Sequence, residues 1–198
     1  MTDIDNISRI LFLEPDYLGF IFYPKSPRYV RGKLKPDLLS IIPDDVKRVG
    51  VFVNNTEAEI RQTANTYGLN VIQLHGDEKP TVCKRLREEG YEVIKAFNIA
   101  TAQDFEQVWA YNDYVDYYLF DSKTTGRGGS GQDFDWQLIL RQPIRKPWIL
   151  SGGIGPENIE AASQTGATII DLNSRFELSP GIKNYDTLHE AISRIKNK

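Results

Sequence analysis

"NVIQLHGDEKPTVCKRLREEGYEVIKAF" (Asn70–Phe97) carries the alternation on which the fold turns. NVIQLH is short, apolar and rich in β-branched residues, as strands covered on both faces are. GDEKPTVCKRLREEG follows as an amphipathic stretch and stops at Gly90, where a helix would end. YEVIKAF is a second apolar run. Strand, helix, strand in succession implies a parallel pair joined by a right-handed crossover.

The same rhythm extends in both directions. Upstream stand YLGFIF (Tyr17–Phe22) and RVGVFV (Arg48–Val53); downstream stand YYLFD (Tyr117–Asp121), PWILS (Pro147–Ser151) and ATIIDLN (Ala167–Asn173). Helical patterns separate them. TEAEIRQTANTYG begins with Thr56, has Glu59 three positions later and closes at Gly68, the marks of a capping box and a glycine stop. GPENIEAASQTG opens with Pro156 near a helix start and closes at Gly166, and NYDTLHEAISRIKNK is the last helix. The chain opens on a helix, TDIDNISRILFLE, with Thr2 or Asp3 as its N-cap and no strand before it. Two architectures fit such alternation: an open doubly wound sheet and a (β/α)8 barrel. The first strand is followed by no G-x-G-x-x-G turn, which the open sheet often carries. Seven strands and about eight helical segments in compact units favour the TIM barrel.

At 198 residues and 40% hydrophobic, the chain can bury one sizeable core, so residues 1–198 are expected to form a single domain. The net charge of −3, with no basic stripe interleaved with aromatics, argues against nucleic acid as a partner. No apolar run approaches the ~20 residues that span a bilayer. MTDIDNIS has neither a basic n-region nor an apolar h-region, and a cytoplasmic location is expected. The single cysteine, Cys83, excludes an internal disulfide and a cysteine-rich metal site. Its spacing with Val82 and Leu86 places it in a helix core.

Active sites of such barrels lie at the C-terminal strand ends. The polar residues there are Tyr23 with Lys25 and Arg28, then Asn54, His75, Asp121, Ser151 with Gly152 and Gly153, and Asn173 with Ser174. Convergence of polar groups from separate units is what a small-molecule site needs. Gly152 and Gly153 precede a helix start, and such glycines let backbone N–H groups approach an anion. They also suit a plain tight turn; Asn173 and Ser174 at the neighbouring strand end favour a phosphate. Asp121 closes an apolar strand, where partial desolvation raises a carboxyl pKa and fits it for general-acid work. A helix cap or a partner for Lys123 is the plainer alternative. Gly126, Gly128, Gly129 and Gly131 follow as a candidate flap that excludes water. Arg28, in a loop stiffened by Pro24 and Pro27, suits a carboxylate, or is a surface arginine. His75 orients substrate or caps its strand.

Together, "GFIFYPKSPRYV", "VGVFVN", "VIQLHGDE", "VIKAF", "FDSKTTGRGGSGQDFDW", "LSGGIGPENI" and "DLNSRFELSPGIKNYD" resemble, in order, the phosphoribosylanthranilate isomerases of tryptophan biosynthesis. The resemblance spans nearly the whole chain, and the phrase from Asp121 to Trp136 is its most specific part. It implies a (β/α)8 barrel of the phosphate-binding type with no metal and no organic cofactor. The implied reaction is an Amadori rearrangement of N-(5-phosphoribosyl)anthranilate to 1-(2-carboxyphenylamino)-1-deoxyribulose 5-phosphate. By this resemblance Asp121 is the general acid, Gly152, Gly153, Asn173 and Ser174 hold the phosphate, and Arg28 faces the anthranilate carboxylate.

Two features depart from the family pattern. Arg175 follows Asn-Ser where family members have a small residue. Family members also open with a strand ending in Lys-x-Cys-Gly-hydrophobic-Thr, whose Cys is the base. Met1-Thr2 aligns with the end of that phrase, so the first strand and its Cys are absent from the chain, and Cys83 does not match the position. The polypeptide is therefore expected to turn over poorly, and its unclosed seam to invite self-association. Other readings are a remnant barrel that binds phosphorylated ligands without turnover, or a related barrel enzyme such as indoleglycerol-phosphate synthase or the histidine-pathway isomerase. The Asp-Trp phrase after the glycine loop argues against the related enzymes.

Overall fold

The computed structural model describes residues 1–122 and 136–196. Its elements in chain order begin with α1 (Ile4–Leu11), β1 (Tyr17–Ile21), β2 (Lys47–Phe52), α2 (Glu57–Tyr67) and β3 (Val71–Leu74). There follow α3 (Pro80–Glu88), β4 (Glu92–Ile99), β5 (Tyr117–Ser122), α4 (Gln137–Leu140), β6 (Trp148–Ser151) and α5 (Ile159–Ser163). The chain closes with β7 (Ile169–Ile170), a hairpin of β8 (Glu177–Ser179) and β9 (Ile182–Lys183), and α6 (Tyr185–Lys196). Strands β1 to β7 form one parallel sheet in strict chain order. Each successive strand lies beside the last, with the intervening segment crossing over, which is the winding of a TIM barrel.

The strand expectations hold for all seven runs, and the local signals account for the helices. Asp3 caps α1, accepting from the Asn6 N–H at 2.7 Å. Thr56 and Glu59 form the expected capping box on α2, and Gly68 ends that helix in the left-handed conformation. Two connections are built of 3-10 helix in place of α-helix. Pro36–Ile41 between β1 and β2, and Ala102–Phe105 with Val108–Tyr111 between β4 and β5, are 3-10 turns. Pro36 and Pro43 bracket the first and confine it to about two turns of 3-10 helix.

Alternation along the strands divides the core in two. Val49, Val71, Ile94, Ala96, Leu119 and Ile149 form a cluster on the face that carries no helix, the inside of the sheet. Phe20, Phe52, Ile72, Leu74, Phe97 and Phe120 point the other way into the larger cluster beneath the helices. Because side chains alternate at period two, the residue two beyond the last inner apolar residue of a strand stands toward the mouth. Gln73 follows Val71, Asp121 follows Leu119, Ser151 follows Ile149 and Asp171 follows Ile169.

Strands β1 and β7 are the two edges of the sheet. The edge of β1 is partly covered from within the chain: Met1 donates to the Gly19 carbonyl at 2.7 Å, and Val30 donates to that of Ile21 at 3.0 Å. Thr2 donates to Gly181 of the hairpin, and the Asn6 carboxamide exchanges two hydrogen bonds with the Lys183 backbone.

Candidate active site

The mouth of the barrel gathers a polar ring above the apolar inner layer. Asp121 pairs in register with Ser151 on β6, and the Ser151 hydroxyl donates to Asp171 Oδ2 at 2.8 Å. On the other side, His75 Nε2 lies 3.5 Å from Asp121 Oδ2, with the two side chains 25% and 29% exposed. Gln73 Nε2 lies 3.1 Å from His75 Nδ1. The structure thus joins His75 and Asp121, which the sequence separates by two strand–helix units.

The turn bearing His75 is held by a buried clamp. Lys95 lies on the outer face of β4, and its ammonium donates to the carbonyls of Leu74 (3.1 Å), Gly76 (2.7 Å) and Ala96 (3.0 Å). Its counterion is Glu78 at 3.5 Å, and both side chains are 3% exposed. Burial pushes the Lys95 pKa down, and the Glu78 charge opposes that shift. Glu78 also accepts from the Asn54 and Gly76 N–H groups at 2.8 and 3.0 Å. Gly76 has no room for a side chain, because a Cβ there would meet the Asn54 carboxamide and backbone.

The glycine turn after β6 has Gly152 at φ 81° and Gly153 at φ 67°, a left-handed pair that residues with a Cβ adopt at a cost. Asn158 ties the turn down, donating to the Gly153 carbonyl at 3.1 Å and accepting from the Gly155 N–H at 2.8 Å. The neighbouring strand end carries Asn173 and then Ser174, which opens a short 3-10 turn. Sequence-predicted Gly152, Gly153, Asn173 and Ser174 therefore stand at two adjacent strand ends. Arg175 turns to Glu157 at 2.8 Å in a half-exposed pair.

Arg28 is held by a partner that the sequence did not signal. Its Nε lies 2.8 and 3.0 Å from the two oxygens of Glu177, a carboxylate 3% exposed. Burial pushes the Glu177 pKa up, but hydrogen bonds from Arg28 and the charges of Lys183 and Arg28 outweigh it and hold the carboxyl below its ordinary range. Lys183 links this pair to the glycine side, reaching Asn173 Oδ1 at 2.9 Å and the Leu172 carbonyl at 3.1 Å. Burial pushes the Lys183 pKa down, against the charges of Glu177 and Asp171. Glu177 and Lys183 meet because Pro180–Gly181 folds their segment into the β8–β9 hairpin; that dipeptide is the signal that could have found them. Asp171 and Gln73 were legible through period-two alternation.

Cys83 is fully buried in α3, and burial pushes its thiol up to about 12, so it stays out of proton transfer near neutrality. The expected flap over Gly126–Gly131, and Lys123, lie outside the described residues. Among the described residues, no cluster of His, Cys, Asp and Glu has the makings of a metal site. No described helix is long and apolar enough to cross a membrane.

A family model described as N-(5'phosphoribosyl)anthranilate (PRA) isomerase matches residues 1–194. A curated N-(5'-phosphoribosyl)anthranilate isomerase from Parabacteroides distasonis is 43% identical over 98% of this chain and 90% of its own length. One from Phocaeicola vulgatus is 38% identical over 100% and 96%. Among solved structures, phosphoribosyl anthranilate isomerase from Thermotoga maritima superposes with a TM-score of 0.89 at 35% identity, covering 100% of this chain and 96% of that one. A phosphoribosyl anthranilate isomerase in complex with reduced 1-(o-carboxyphenylamino)-1-deoxyribulose 5-phosphate gives 0.83 at 32% identity, with the same coverage.

Proposed function

The chain belongs to the N-(5'-phosphoribosyl)anthranilate isomerase family, and from that premise we propose how its polar ring carries the rearrangement. The function is isomerisation of N-(5'-phosphoribosyl)anthranilate in tryptophan biosynthesis. In our reading Asp121 is the general acid. It gives its proton to the ring oxygen of the sugar, the bond from that oxygen to C1 breaks, and the anthranilate nitrogen supplies the electrons that form the Schiff base. Loss of the C2 proton gives an enolamine, which tautomerises to the ketone. We assign the base to none of the described residues. A proton donor positioned at the leaving oxygen commonly contributes 10² to 10⁴ in rate.

The phosphate would rest on Gly152, Gly153, Asn173 and Ser174, and the anthranilate carboxylate would meet Arg28. Arg28 must then be shared with or released by Glu177. Lys183, 3.4 Å from Glu177, stays behind as its counterion, so the exchange does not strand a buried carboxylate. A cytoplasmic site of action fits a phosphorylated metabolite. The observation that carries the reading is the approach of His75 to Asp121 at the barrel mouth, beside the glycine turn. The test is a turnover assay run beside a titration with the reduced product analogue. Tight analogue binding with turnover that depends on Asp121 supports the reading; turnover indifferent to Asp121 refutes it.

A further inference from the structure

Gln73 and His75 stand two apart at the end of β3 and face the same way, inward over Val71. Gln73 is almost wholly buried, and its amide nitrogen lies 3.1 Å from His75 Nδ1. An amide nitrogen has only N–H to offer. With the carboxamide oriented this way, Nδ1 must accept, and the one proton of a neutral imidazole must reside on Nε2. Nε2 is the atom that faces Asp121 Oδ2 at 3.5 Å. The main chain beneath the ring is held as well, because His75 N donates to the Phe52 carbonyl at 2.8 Å and Lys95 grips the carbonyls on either side of it.

We propose that Gln73 is a positioning residue which holds His75 as its Nε2–H tautomer, so that the ring presents a donor rather than a lone pair to Asp121. The inference rests on the assignment of Asp121 as the acid. When Asp121 gives up its proton, the O–H bond of the carboxyl breaks and an O–H bond forms on the sugar ring oxygen. The C1–O bond opens with its electron pair on that oxygen. What remains at Asp121 is a carboxylate. An N–H on Nε2, 3.5 Å from that oxygen, is drawn to it as the charge develops, so it stabilises the proton transfer more than the bound substrate. A lone pair in the same place would repel the carboxylate and compete for the acid's proton beforehand. The tautomer should therefore act on kcat and leave KM largely alone.

Two measurements on the full chain test this. The first is the ring 15N shifts of His75, followed across a pH series and read in the neutral form of the ring. Nε2 protonated and Nδ1 bare is the expected pattern; the reverse pattern overturns the proposal, and no variant is needed to see it. The second is a double-mutant cycle. Gln73→Met keeps the volume and removes the donor. It should lower kcat roughly tenfold, the scale of a lost charge-assisted hydrogen bond, with KM and reduced-analogue affinity nearly unchanged. His75→Gln places an amide N–H near the position of Nε2 and has no tautomer to set, so Gln73→Met should add little in that background. Equal losses in both backgrounds would mean that Gln73 acts through packing, and the proposal fails. If Gln73→Met does not fold, the 15N pattern alone decides. Failure of the Asp121 assignment shows up separately, as turnover that survives Asp121→Asn while the tautomer stays as described.

Discussion

Asp121 reaches the mouth because the pleat that buries Leu119 turns the next inward residue to the rim. An amide there keeps the shape and loses the proton. In a background that carries a working base, Asp121→Asn should cut kcat by about 10² to 10⁴ while leaving affinity for the reduced product analogue within a few-fold. Steady-state turnover and calorimetric titration of one preparation measure both quantities. Arg28 is a different kind of residue, already engaged by Glu177 before any ligand arrives. Arg28→Ala should weaken anthranilate-bearing ligands by about 1.5–3 kcal/mol more than ribulose phosphate, the scale of a charge-assisted contact. Comparing the two ligands cancels any general loosening caused by leaving Glu177 without its fork. Equal weakening of both would remove Arg28 from the carboxylate site.

At the scale of the element, the β3–α3 connection shows how the turn bearing His75 is made rigid. Lys95 closes three carbonyls and one carboxylate around its ammonium, while Glu78 gathers the Asn54 and Gly76 N–H groups. Tyr111 adds a hydrogen bond from its hydroxyl to the Glu78 carbonyl at 2.8 Å. Taking one partner out of a buried pair leaves the other charged and unsatisfied, which costs about 3–5 kcal/mol. Lys95→Met should lower unfolding stability by that amount in urea titrations at neutral pH. A loss near 1 kcal/mol, the net worth of an ordinary hydrogen bond, would mean that water or rearrangement satisfies Glu78.

For the whole molecule, the seam between β1 and β7 couples stability to pH. Arg28, Glu177 and Lys183 knit the hairpin to the loop after β1 and to the end of β7. Against burial, the folded-state pKa of Glu177 is depressed below the ordinary carboxylate range by the Arg28 hydrogen bonds and the Lys183 charge. Between that lowered value and the ordinary one, the unfolded chain binds more protons than the folded chain, so stability falls as pH falls. The contribution is complete above the ordinary carboxylate range and is lost as pH drops through the folded value. Thermal midpoints taken from neutral pH into acid should decline more steeply for the parent than for Glu177→Gln. Parallel curves would show that Glu177 contributes nothing to acid sensitivity.

From the sequence alone came the parallel winding, the seven strands, the α2 cap and stop, and the candidates Asp121, His75, Gly152, Gly153, Asn173, Ser174 and Arg28. These are local matters: apolar periodicity, capping chemistry and glycine placement are written within a few residues of where they act. The ordered set of motifs carried the family as well. The partners of those residues were not legible in the same way. Glu177 stands 149 positions from Arg28, Asp121 is near His75 only after two crossovers, and Lys95 reads as one cation in an apolar strand until the turn beside it supplies three carbonyls. A side chain's own segment sets the face on which it lies, through the period of its backbone. What waits opposite that face is set by strand register and by the curl of the sheet, and those are settled only when the whole chain closes on itself.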